Sequence, residues 1–408
     1  MIGLLGTVVL GLLRPIGPLD AILDDPKLAG ATVSVCVTDR RGGVVYERNS
    51  AIHVVPASNQ KLLSCAFALE KLGPAFRPVT RFWREPDRLV IDSTGDPMMT
   101  YAQLRDAATK LRANRDLPVA LRQAYRPGIP GGWEHDDLPN RYAAPVTAFT
   151  FDQGAFELWA VNGTPTLLPE PFGVGITALP SSQELSVDYD PFRARVRVSG
   201  RVPREKKLLD TLALPNPDLA AASLFGSTVG VASEVPGRKA DLEIKGSTVA
   251  EIVKACLPPS DNQIAEHLLL MAGGPDYSIA RKNIAAFLET VGVAKGDVKI
   301  ADGSGLSRHN ALTTRAICQL LTWADRQPTA PIWRNALARP GVGTLRSRLA
   351  GIQFAGKTGS LDMVSSLSGY LSHPDGRQFA VSIVMNHYFC TSAESRAIQD
   401  RFVAALLK

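Results

Sequence analysis

The sequence has few cysteines for its length, and none of them are spaced as metal ligands. Its 408 residues include five cysteines and no Cys-x-x-Cys pair. Zinc sites and disulfide frameworks need closely or regularly spaced cysteines, so neither is indicated. The cysteines instead fall within apolar helix or strand patterns, where they are expected as small buried residues. They are Cys36, Cys65, Cys256, Cys318 and Cys390.

Signatures of several common enzyme classes are also absent. The six histidines include no His-Glu-x-x-His pair, and no Gly-x-Ser-x-Gly occurs, which excludes these zinc hydrolases and nucleophile-elbow hydrolases. Residues 351–358 formally satisfy the P-loop pattern. However, residues 352–355 read as a strand, and two strands follow before any long helix, whereas a P-loop opens a helix. We therefore reject a nucleotide-binding loop, and we interpret residues 302–305 as a tight turn rather than a second nucleophile.

Charge and composition limit the class of partner. The apolar content of 45% and charged content of 21% are typical of a soluble globular protein, and the length predicts two or three domains. A net charge of +6 favours an acidic partner, whether nucleic acid, membrane surface or anionic cell-wall polymer. No Lys/Arg run of the nucleic-acid type occurs, and residues 204–207 are interpreted as a solvated turn. We expect no nucleic-acid partner.

An apolar run occupies residues 2–13 and is followed by Arg14 and Pro15. It is too short to span a bilayer as a helix. Its length fits the apolar region of an export signal, but a basic start and a small-x-small cleavage site are missing. An export signal and a buried N-terminal segment both remain open.

The stretch 55–63, Val-Pro-Ala-Ser-Asn-Gln-Lys-Leu-Leu, predicts the start of an apolar helix that ends at Gly73. Ser58 and Lys61 are three residues apart, so they share a helix face with about 5–6 Å between Cβ atoms. At that distance a lysine amine kept neutral by a low dielectric can accept a proton from a serine hydroxyl. The alternative is a capping serine with an exposed lysine one turn on. This is the only Ser-x-x-Lys in the chain, and its helix is too apolar for a surface helix.

The remaining pattern predicts one α/β domain built from both ends of the chain and interrupted by an insertion. Residues 31–38 and 44–46 form a predicted hairpin, and strands near the C-terminus are expected to pair with it in one sheet. Further strands are predicted at residues 194–199, 367–371 and 379–385. Helices are predicted at residues 101–113, 247–257, 262–271, 277–291, 311–325 and 393–407.

Two further polar segments complete a three-part pattern. Ser260-Asp261-Asn262 opens a predicted helix, and Lys357-Thr358-Gly359-Ser360 lies beside a predicted strand. Taken singly, the first is a helix cap and the second an edge turn. Together, in the order Ser-x-x-Lys, Ser-x-Asn and Lys-Thr-Gly, they are the signature of penicillin-binding proteins and class A β-lactamases.

Each residue type has a chemical reason to be present. Ser58 Oγ would attack a carbonyl carbon with Lys61 as the general base. Ser260 would relay a proton to the leaving amine, and Asn262 would hydrogen-bond the substrate amide or Lys61. Lys357 would attract a substrate carboxylate and hold Ser260 in place.

The negative oxygen that develops during such an attack also needs donors. The backbone N–H groups of Ser58 and Ser360 would supply them, as in other oxyanion holes. The positive end of the helix dipole would favour negative charge at Ser58. This chemistry requires no metal ion and no cofactor.

The chain resembles the D-Ala-D-Ala carboxypeptidase/endopeptidase family of class C low-molecular-mass penicillin-binding proteins. The resemblance runs from about residue 31 to the C-terminus. Ser360 stands where that family often has threonine, which is a mild chemical change. The blocks that carry the resemblance are residues 56–62, 95–97, 136–138, 142–146, 260–266, 302–307 and 356–361.

The resemblance implies a fold and a domain organisation. The expected fold is α/β (α+β), a penicillin-binding transpeptidase/β-lactamase-like domain with an antiparallel sheet flanked by helices. Residues 1–75 and 239–408 would form this discontinuous catalytic domain. Residues 76–238 would form the inserted domain, which would carry a nested, smaller β-rich domain at about residues 166–205.

The resemblance also implies a substrate and its binding residues. The expected substrates are peptidoglycan stem peptides, with β-lactams as covalent inhibitors and a periplasmic or extracytoplasmic location at the cell envelope. Thr358, Gly359 and Ser360 would contact the substrate. The positions of Trp133, Asp136 and Arg308 match residues that, in some members, line a pocket for the side chain of the third residue of the peptide.

Two other functions on the same fold remain as alternatives. A β-lactamase needs a positioned water and a base to free the acyl-enzyme, and no carboxylate for that role is identified in the sequence. A catalytically silent cell-wall-binding protein would have no need of the base. The intact set of Ser58, Lys61, Ser260, Asn262 and Lys357 therefore favours a serine D,D-peptidase.

Overall fold

The computed structural model describes residues 17–113, 117–169, 173–226 and 228–408, and the predicted N-terminal apolar run lies outside this part of the chain. The helices of the described residues are α1 Pro18–Leu23, α2 Gln60–Leu72, α3 Tyr101–Lys110, α4 Pro217–Ala222, α5 Val249–Cys256, α6 Asn262–Gly273, α7 Tyr277–Val291, α8 Thr314–Ala324, α9 Ala330–Ala336 and α10 Ser392–Ala405. A 3-10 turn, Ala57–Asn59, leads directly into α2.

The strands of the described residues form several separate sheets. In chain order they are β1 Thr32–Asp39, β2 Val44–Arg48, β3 Val79–Arg84, β4 Leu89–Ser93, β5 Val119–Gln123, β6 Ala155–Val161, β7 Thr164–Leu168, β8 Gly175–Pro180, β9 Ser186–Asp190, β10 Arg195–Gly200, β11 Lys207–Ala213, β12 Val229–Val231, β13 Leu242–Lys245, β14 Val298–Lys299, β15 Ala311–Leu312, β16 Phe354–Leu361, β17 Val364–Ser372 and β18 Gln378–Asn386.

The main sheet joins the two ends of the chain, as the sequence predicts. Its order is β16-β17-β18-β1-β2, and all of its neighbouring strands are antiparallel. Val35 and Val37 of β1 face one hydrophobic core, whereas the intervening Cys36 faces the other. Because successive side chains of a strand point to opposite faces, this central strand is buried on both sides. Helices α1 and α10 cover one face, and α2, α6, α7 and α8 build the core on the other.

Residues between β3 and β13 form their own sheets and their own core. A mixed sheet has the order β12-β5-β4-β3-β13, and two three-stranded sheets have the orders β11-β6-β7 and β8-β10-β9. We propose that this segment is the inserted domain. Strand β13 pairs with β3, so we place its end near Gly246 rather than at residue 238. The sheet β8-β10-β9 is the candidate nested domain, which therefore begins near residue 175, since β7 pairs with β6.

Side-chain caps and glycines set the helix boundaries. Helix α7 occupies the predicted residues 277–291, because Asp276 accepts from the Ile279 N–H and Gly292 ends the helix with φ of 95°. The predicted helix 311–325 was too long at its start: residues 311–312 form β15, and Thr313 caps α8. Helix α9 is not among the helices that the sequence predicts.

A close approach of two backbones fixes the start of α2. Gly305 has φ of 83°, and a Cβ there would lie 1.9 Å from the carbonyl oxygen of Ala57. Two constraints therefore require glycine at position 305. Its φ is strained for other residues, and the Ala57 carbonyl oxygen already occupies the space that a Cβ would need. The turn that contains Ser58 is packed directly against the turn at residues 302–307.

We expect Gly305→Ala to lower the free energy of unfolding by more than about 2 kcal/mol, because it adds a steric clash to the cost of a left-handed backbone. Gly376→Ala is the matched control: Gly376 has φ of 92° with no atom within 4 Å of an added Cβ. It should lose only about 1–2 kcal/mol. Urea unfolding of the two variants checks this, and equal losses would contradict it.

Candidate active site

Ser58 and Lys61 come together as the sequence predicts. Ser58 lies in the 3-10 turn, and Lys61 is in the first turn of α2. The Lys61 Nζ donates to Ser58 Oγ over 2.9 Å. The serine is half-buried, while the lysine side chain is 0% exposed. The alternative of a capping serine with an exposed lysine is therefore wrong, and no side-chain capping bond is formed at this helix start.

Two more oxygens surround the amine of Lys61. Its Nζ donates to Asn262 Oδ1 at 2.6 Å and to the Ser304 carbonyl oxygen at 2.7 Å. Burial lowers the pKa of Lys61 because an ammonium loses its hydration there. The amine is held in a fixed position, and its neutral, basic form is favoured.

Strand β16 places the Lys-Thr-Gly segment against Ser58. A Cβ on Gly359 would lie 2.8 Å from the Ser58 backbone nitrogen, so only glycine lets the strand pass this close. Lys357 is 0% exposed, and its Nζ donates to the Thr358 carbonyl oxygen at 2.7 Å. Burial, with a smaller contribution from the nearby Lys61, holds the pKa of Lys357 well below its usual range.

Ser260 lies beside the cleft rather than inside it. It lines an adjoining cavity of about 430 Å³ that shares Tyr142 and Asn262 with the cleft around Ser58. Ser260 has φ of 67°, a left-handed conformation that is uncommon for serine and marks a constrained turn before α6. The expected contact between Ser260 and Lys357 is not among the hydrogen bonds of the described residues.

The cleft in front of Ser58 has a volume of about 380 Å³. Arg308 lines it, as the resemblance implies, and its Nε donates to Glu134 at 2.8 Å. Its Nη1 donates to the Asp362 carbonyl oxygen at 3.0 Å. The described residues that line the cleft are Ser58, Glu134, Asp137, Tyr142, Asn262, Gly305, Leu306, Arg308, Ser360, Leu361 and Asp362.

Two expected substrate-binding residues lie elsewhere. The Trp133 side chain is buried, and its indole Nε1 donates to Asp302 at 2.9 Å, so it supports the turn at 302–307. Asp136 is fully exposed and faces His135. The neighbouring Asp137 lines the cleft instead, because adjacent residues of the short 3-10 helix His135–Asp137 point in different directions.

Glu134, Asp137 and Tyr142 are among the cleft residues that had no role in the sequence interpretation. Glu134 pairs with Arg308, and Asp137 accepts from the Tyr142 hydroxyl at 2.9 Å. Asp137 and Tyr142 lie within blocks that carry the family resemblance, which was the available signal. Glu134 lies outside those blocks, and its pairing depends on a residue far along the chain.

The described ranges contain no candidate for a metal site or a membrane-spanning helix. No group of three or more histidine, cysteine, aspartate or glutamate side chains could hold a metal ion there. Nor does that part of the chain contain a helix with the length and apolar character needed to cross a membrane.

Comparisons with known proteins agree on one family. The family model of the D-Ala-D-Ala carboxypeptidase 3 (S13) family matches residues 17–408. A D-alanyl-D-alanine carboxypeptidase from Actinomadura sp. is 29% identical, over 95% of this chain and 83% of the relative. D-alanyl-D-alanine carboxypeptidase DacB from Haemophilus influenzae is 23% identical, over 86% of this chain and 85% of its own.

The solved structures bear on the fold. Penicillin binding protein 4 from Haemophilus influenzae matches with a TM-score of 0.78 and 21% identity, covering 95% of this chain and 98% of that chain. Its complex with a β-lactam matches with a TM-score of 0.76 and 20% identity, with the same coverage. These matches confirm the predicted fold class.

We expect Lys357→Met to raise the stability at neutral pH by about 1 kcal/mol or more, because it removes a buried amine whose charged form is unfavourable. In the wild type the unfolded state binds a proton that folded Lys357 releases, so stability rises with pH up to the unfolded pKa of 10.5. In the variant, the free energy of unfolding should increase with pH less steeply than in the wild type, by up to about 1.4 kcal/mol per pH unit.

Chemical unfolding at several pH values between 7 and 9.5 measures both effects. Lys295→Met, which removes an exposed lysine, is the control and should keep the wild-type slope. If Lys357→Met kept the wild-type slope of the free energy of unfolding against pH, Lys357 would be protonated in the folded chain throughout this range, which would contradict the prediction.

Proposed function

Because the chain belongs to the D-Ala-D-Ala carboxypeptidase 3 (S13) family, it is a serine-type D-Ala-D-Ala carboxypeptidase, and we propose that it acts on peptidoglycan stem peptides through an acyl-enzyme on Ser58. The observation that carries this proposal is the distance of 2.9 Å between Lys61 Nζ and Ser58 Oγ. It joins a half-exposed nucleophile to a fully buried amine at the wall of an open cleft.

Acylation begins with the attack of Ser58 Oγ on the carbonyl carbon of the penultimate D-alanine. A C–O bond forms while the hydroxyl proton passes to the neutral Lys61 Nζ. The C–N bond of the tetrahedral intermediate then breaks, and its nitrogen takes the proton that Lys61 received, so D-alanine leaves and Lys61 is neutral again. We propose that Ser260, beside the cleft, relays that proton, and that Asn262 keeps Lys61 in place and contacts the peptide amide.

Two features of β16 support substrate binding. The strand runs beside the backbone nitrogen of Ser58, so the N–H groups of Ser58 and Ser360 are the candidate donors for the developing oxyanion. We propose that Thr358, Gly359 and Ser360 bind the substrate backbone. Lys357 belongs to the same strand, and a bound carboxylate would raise the pKa of its buried amine and restore its charge.

Deacylation returns the enzyme to its first state. Water attacks the ester carbonyl, and one proton of the water passes to the neutral Lys61. The ester bond then breaks, and Ser58 Oγ takes this proton from Lys61 to become a hydroxyl group again. The released product is the shortened stem peptide. The same steps cleave a D,D-crosslink when the leaving amine belongs to a second stem peptide.

β-Lactams fit the same chemistry. They carry an amide carbonyl for Ser58 and a carboxylate for Lys357, and their leaving nitrogen remains attached to the acyl group. We therefore propose that they inhibit this chain covalently. The substrate of the reaction lies in the cell wall, so we propose an extracytoplasmic or periplasmic location, with peripheral association with the cell envelope.

Ser58→Ala should abolish labelling by a fluorescent penicillin and release of D-alanine from a pentapeptide, because no other described nucleophile has an amine beside it in the cleft. Ser186→Ala, which removes an exposed hydroxyl on β9, is the control and should keep both activities. Gel fluorescence and a D-alanine assay provide the readouts, together with mass spectrometry of products from crosslinked muropeptides.

The outcomes separate the proposal from its two rivals. A folded wild-type chain that is neither labelled nor able to release D-alanine would be a silent cell-wall-binding protein. A wild-type chain that hydrolyses penicillin rapidly and leaves the pentapeptide intact would be a β-lactamase. Persistent labelling of Ser58→Ala would mean that another residue is the nucleophile.

We also propose that the end of the cleft at Arg308 receives the side chain of the third peptide residue. Arg308→Ala should raise KM at least about tenfold for a pentapeptide whose third side chain ends in both an amine and a carboxylate. It should affect a peptide with only the amine much less. D-alanine release is measured with both peptides, and Arg315→Ala, outside the cleft, is the control. Equal effects on the two peptides would contradict this assignment.

A further inference from the structure

Helix α6 acts on the amine of Lys61 through two residues, Asn262 by direct contact and Glu266 through the turn at residues 302–307. The direct route is Asn262, whose Oδ1 accepts from Lys61 at 2.6 Å. Glu266 is four residues later on the same face of the helix and therefore points toward the same region. Its side chain is 0% exposed, and it belongs to neither the Ser-x-Asn pattern nor the lining of the cleft.

Glu266 binds the turn that supplies the third oxygen around Lys61. Its Oε2 accepts from the Gly303 N–H at 2.8 Å, and its Oε1 accepts from the Ser304 N–H at 2.8 Å. The carbonyl oxygen of Ser304 accepts from Lys61 Nζ at 2.7 Å. One residue thus has its N–H fixed by Glu266 and its carbonyl directed at the amine. The N–H and the carbonyl of Ser304 belong to adjacent peptide groups, so a displacement of this residue would disturb both contacts.

A second buried carboxylate holds the other side of the same turn. Asp302 accepts from the N–H groups of Gly305 and Ser307 at 2.8 and 2.7 Å, and from the Trp133 indole at 2.9 Å. Asp302 thereby closes the turn on itself. Glu266 is the group that ties this turn to α6, next to Asn262.

We propose that Glu266 is a positioning residue for the general base: it fixes the Ser304 carbonyl so that the Lys61 amine stays directed at Ser58 Oγ. This inference deepens the proposed function and rests on it for the role of Lys61. Glu266 does not touch the substrate, because it lies behind the amine and away from the cleft.

A purely structural role is a less complete account of this residue. A buried carboxylate without a directly bonded cation is costly in a protein interior. Burial and the neighbouring Asp302 raise the pKa of Glu266 to about 8. An apolar residue at this helix position would avoid that cost, and two neighbouring backbone N–H groups would then lack an acceptor. The carboxylate stabilises one arrangement of the turn, and that arrangement includes the Lys61 contact.

Glu266→Gln tests the proposal with an almost isosteric change. The glutamine amide can accept from only one of the two N–H groups, and its own NH₂ must face the other. We expect the acylation rate constant for penicillin at saturation to fall about tenfold to a hundredfold. The concentration for half-saturation should stay within about twofold, because no group of the cleft is changed.

The pH dependence of acylation provides a second readout. The rate requires neutral Lys61, so its acid limb follows the pKa of that amine. In Glu266→Gln the ammonium of Lys61 loses a fixed carbonyl acceptor and, at pH values where Glu266 is ionised, a nearby negative charge. Both changes lower the pKa of Lys61, so the acid limb moves to lower pH. The titratable groups that act on Lys61 in the fold are Asp261, Glu266, Asp302, Lys357 and the Cys256 thiol.

Two further variants separate positioning from charge and from stability. Glu266→Asp keeps the carboxyl group but is too short for both N–H groups, so its rate should fall while its acid limb moves less than that of Glu266→Gln. Glu251→Gln alters an exposed carboxylate that accepts from Thr248 N and Oγ1 at 2.7 and 2.8 Å in the cap of α5. It should lower the melting temperature by a few degrees and leave both kinetic readouts unchanged.

Each outcome decides the inference. A Glu266→Gln protein with the wild-type saturating rate and acid limb would overturn it. The inference would also be overturned if Glu266→Gln lost activity only because fewer of its molecules can be labelled, while those molecules react at the wild-type rate. If wild type itself is not acylated, the proposed function fails, and nitrogen NMR titration of Lys61 still decides this inference: an equal Lys61 pKa in wild type and Glu266→Gln refutes it, and a lower one in the variant supports it.

Discussion

The burial of one amine against one hydroxyl is the constraint on which the rest of the structure depends. Lys61 must lose most of its hydration to act as a base near neutral pH, yet its amine must keep hydrogen-bond partners. The fold meets both needs, because α2 lies inside the core while Ser58, Asn262 and the Ser304 carbonyl supply oxygens around the amine. Each oxygen comes from a different segment, so the base exists only in the assembled fold.

The packing around Ser58 also explains why two distant segments of the chain carry a glycine where they meet the Ser58 turn. The turn at residues 302–307 touches the backbone of Ala57, and β16 touches the backbone of Ser58 through Gly359. A Cβ at Gly305 would lie 1.9 Å from the Ala57 carbonyl oxygen, and one at Gly359 would lie 2.8 Å from the Ser58 nitrogen, so a side chain at either contact would push the elements apart. Close backbone packing, rather than side-chain chemistry alone, brings the nucleophile, the base and the oxyanion donors into one cleft.

Electrostatics makes this site costly to maintain. Lys61 and Lys357 are both buried, and burial lowers the pKa of each amine, with Lys61 lowering that of Lys357 further. Burial and the neighbouring Asp302 raise the pKa of the Glu266 carboxyl group, so its charged form is also disfavoured. We interpret the cluster of buried apolar side chains in the surrounding helices as the source of stability that offsets this cost.

The order of the three motifs, the apolar character of α2 and the alternation of β1 were readable from the sequence, because they depend on residues close to each other in the chain. The sequence thus determined the family, the fold class, the joining of both chain ends in one sheet and the Ser58–Lys61 pair.

Only the tertiary structure decided the finer points: that Asp137 rather than Asp136 faces the cleft, that Trp133 supports a turn, and that Glu266 holds the turn behind the base. The physical reason is that these positions depend on contacts between segments that are distant in the chain, which the local sequence pattern does not encode. At such contacts, one residue can face solvent while its immediate neighbour faces the site.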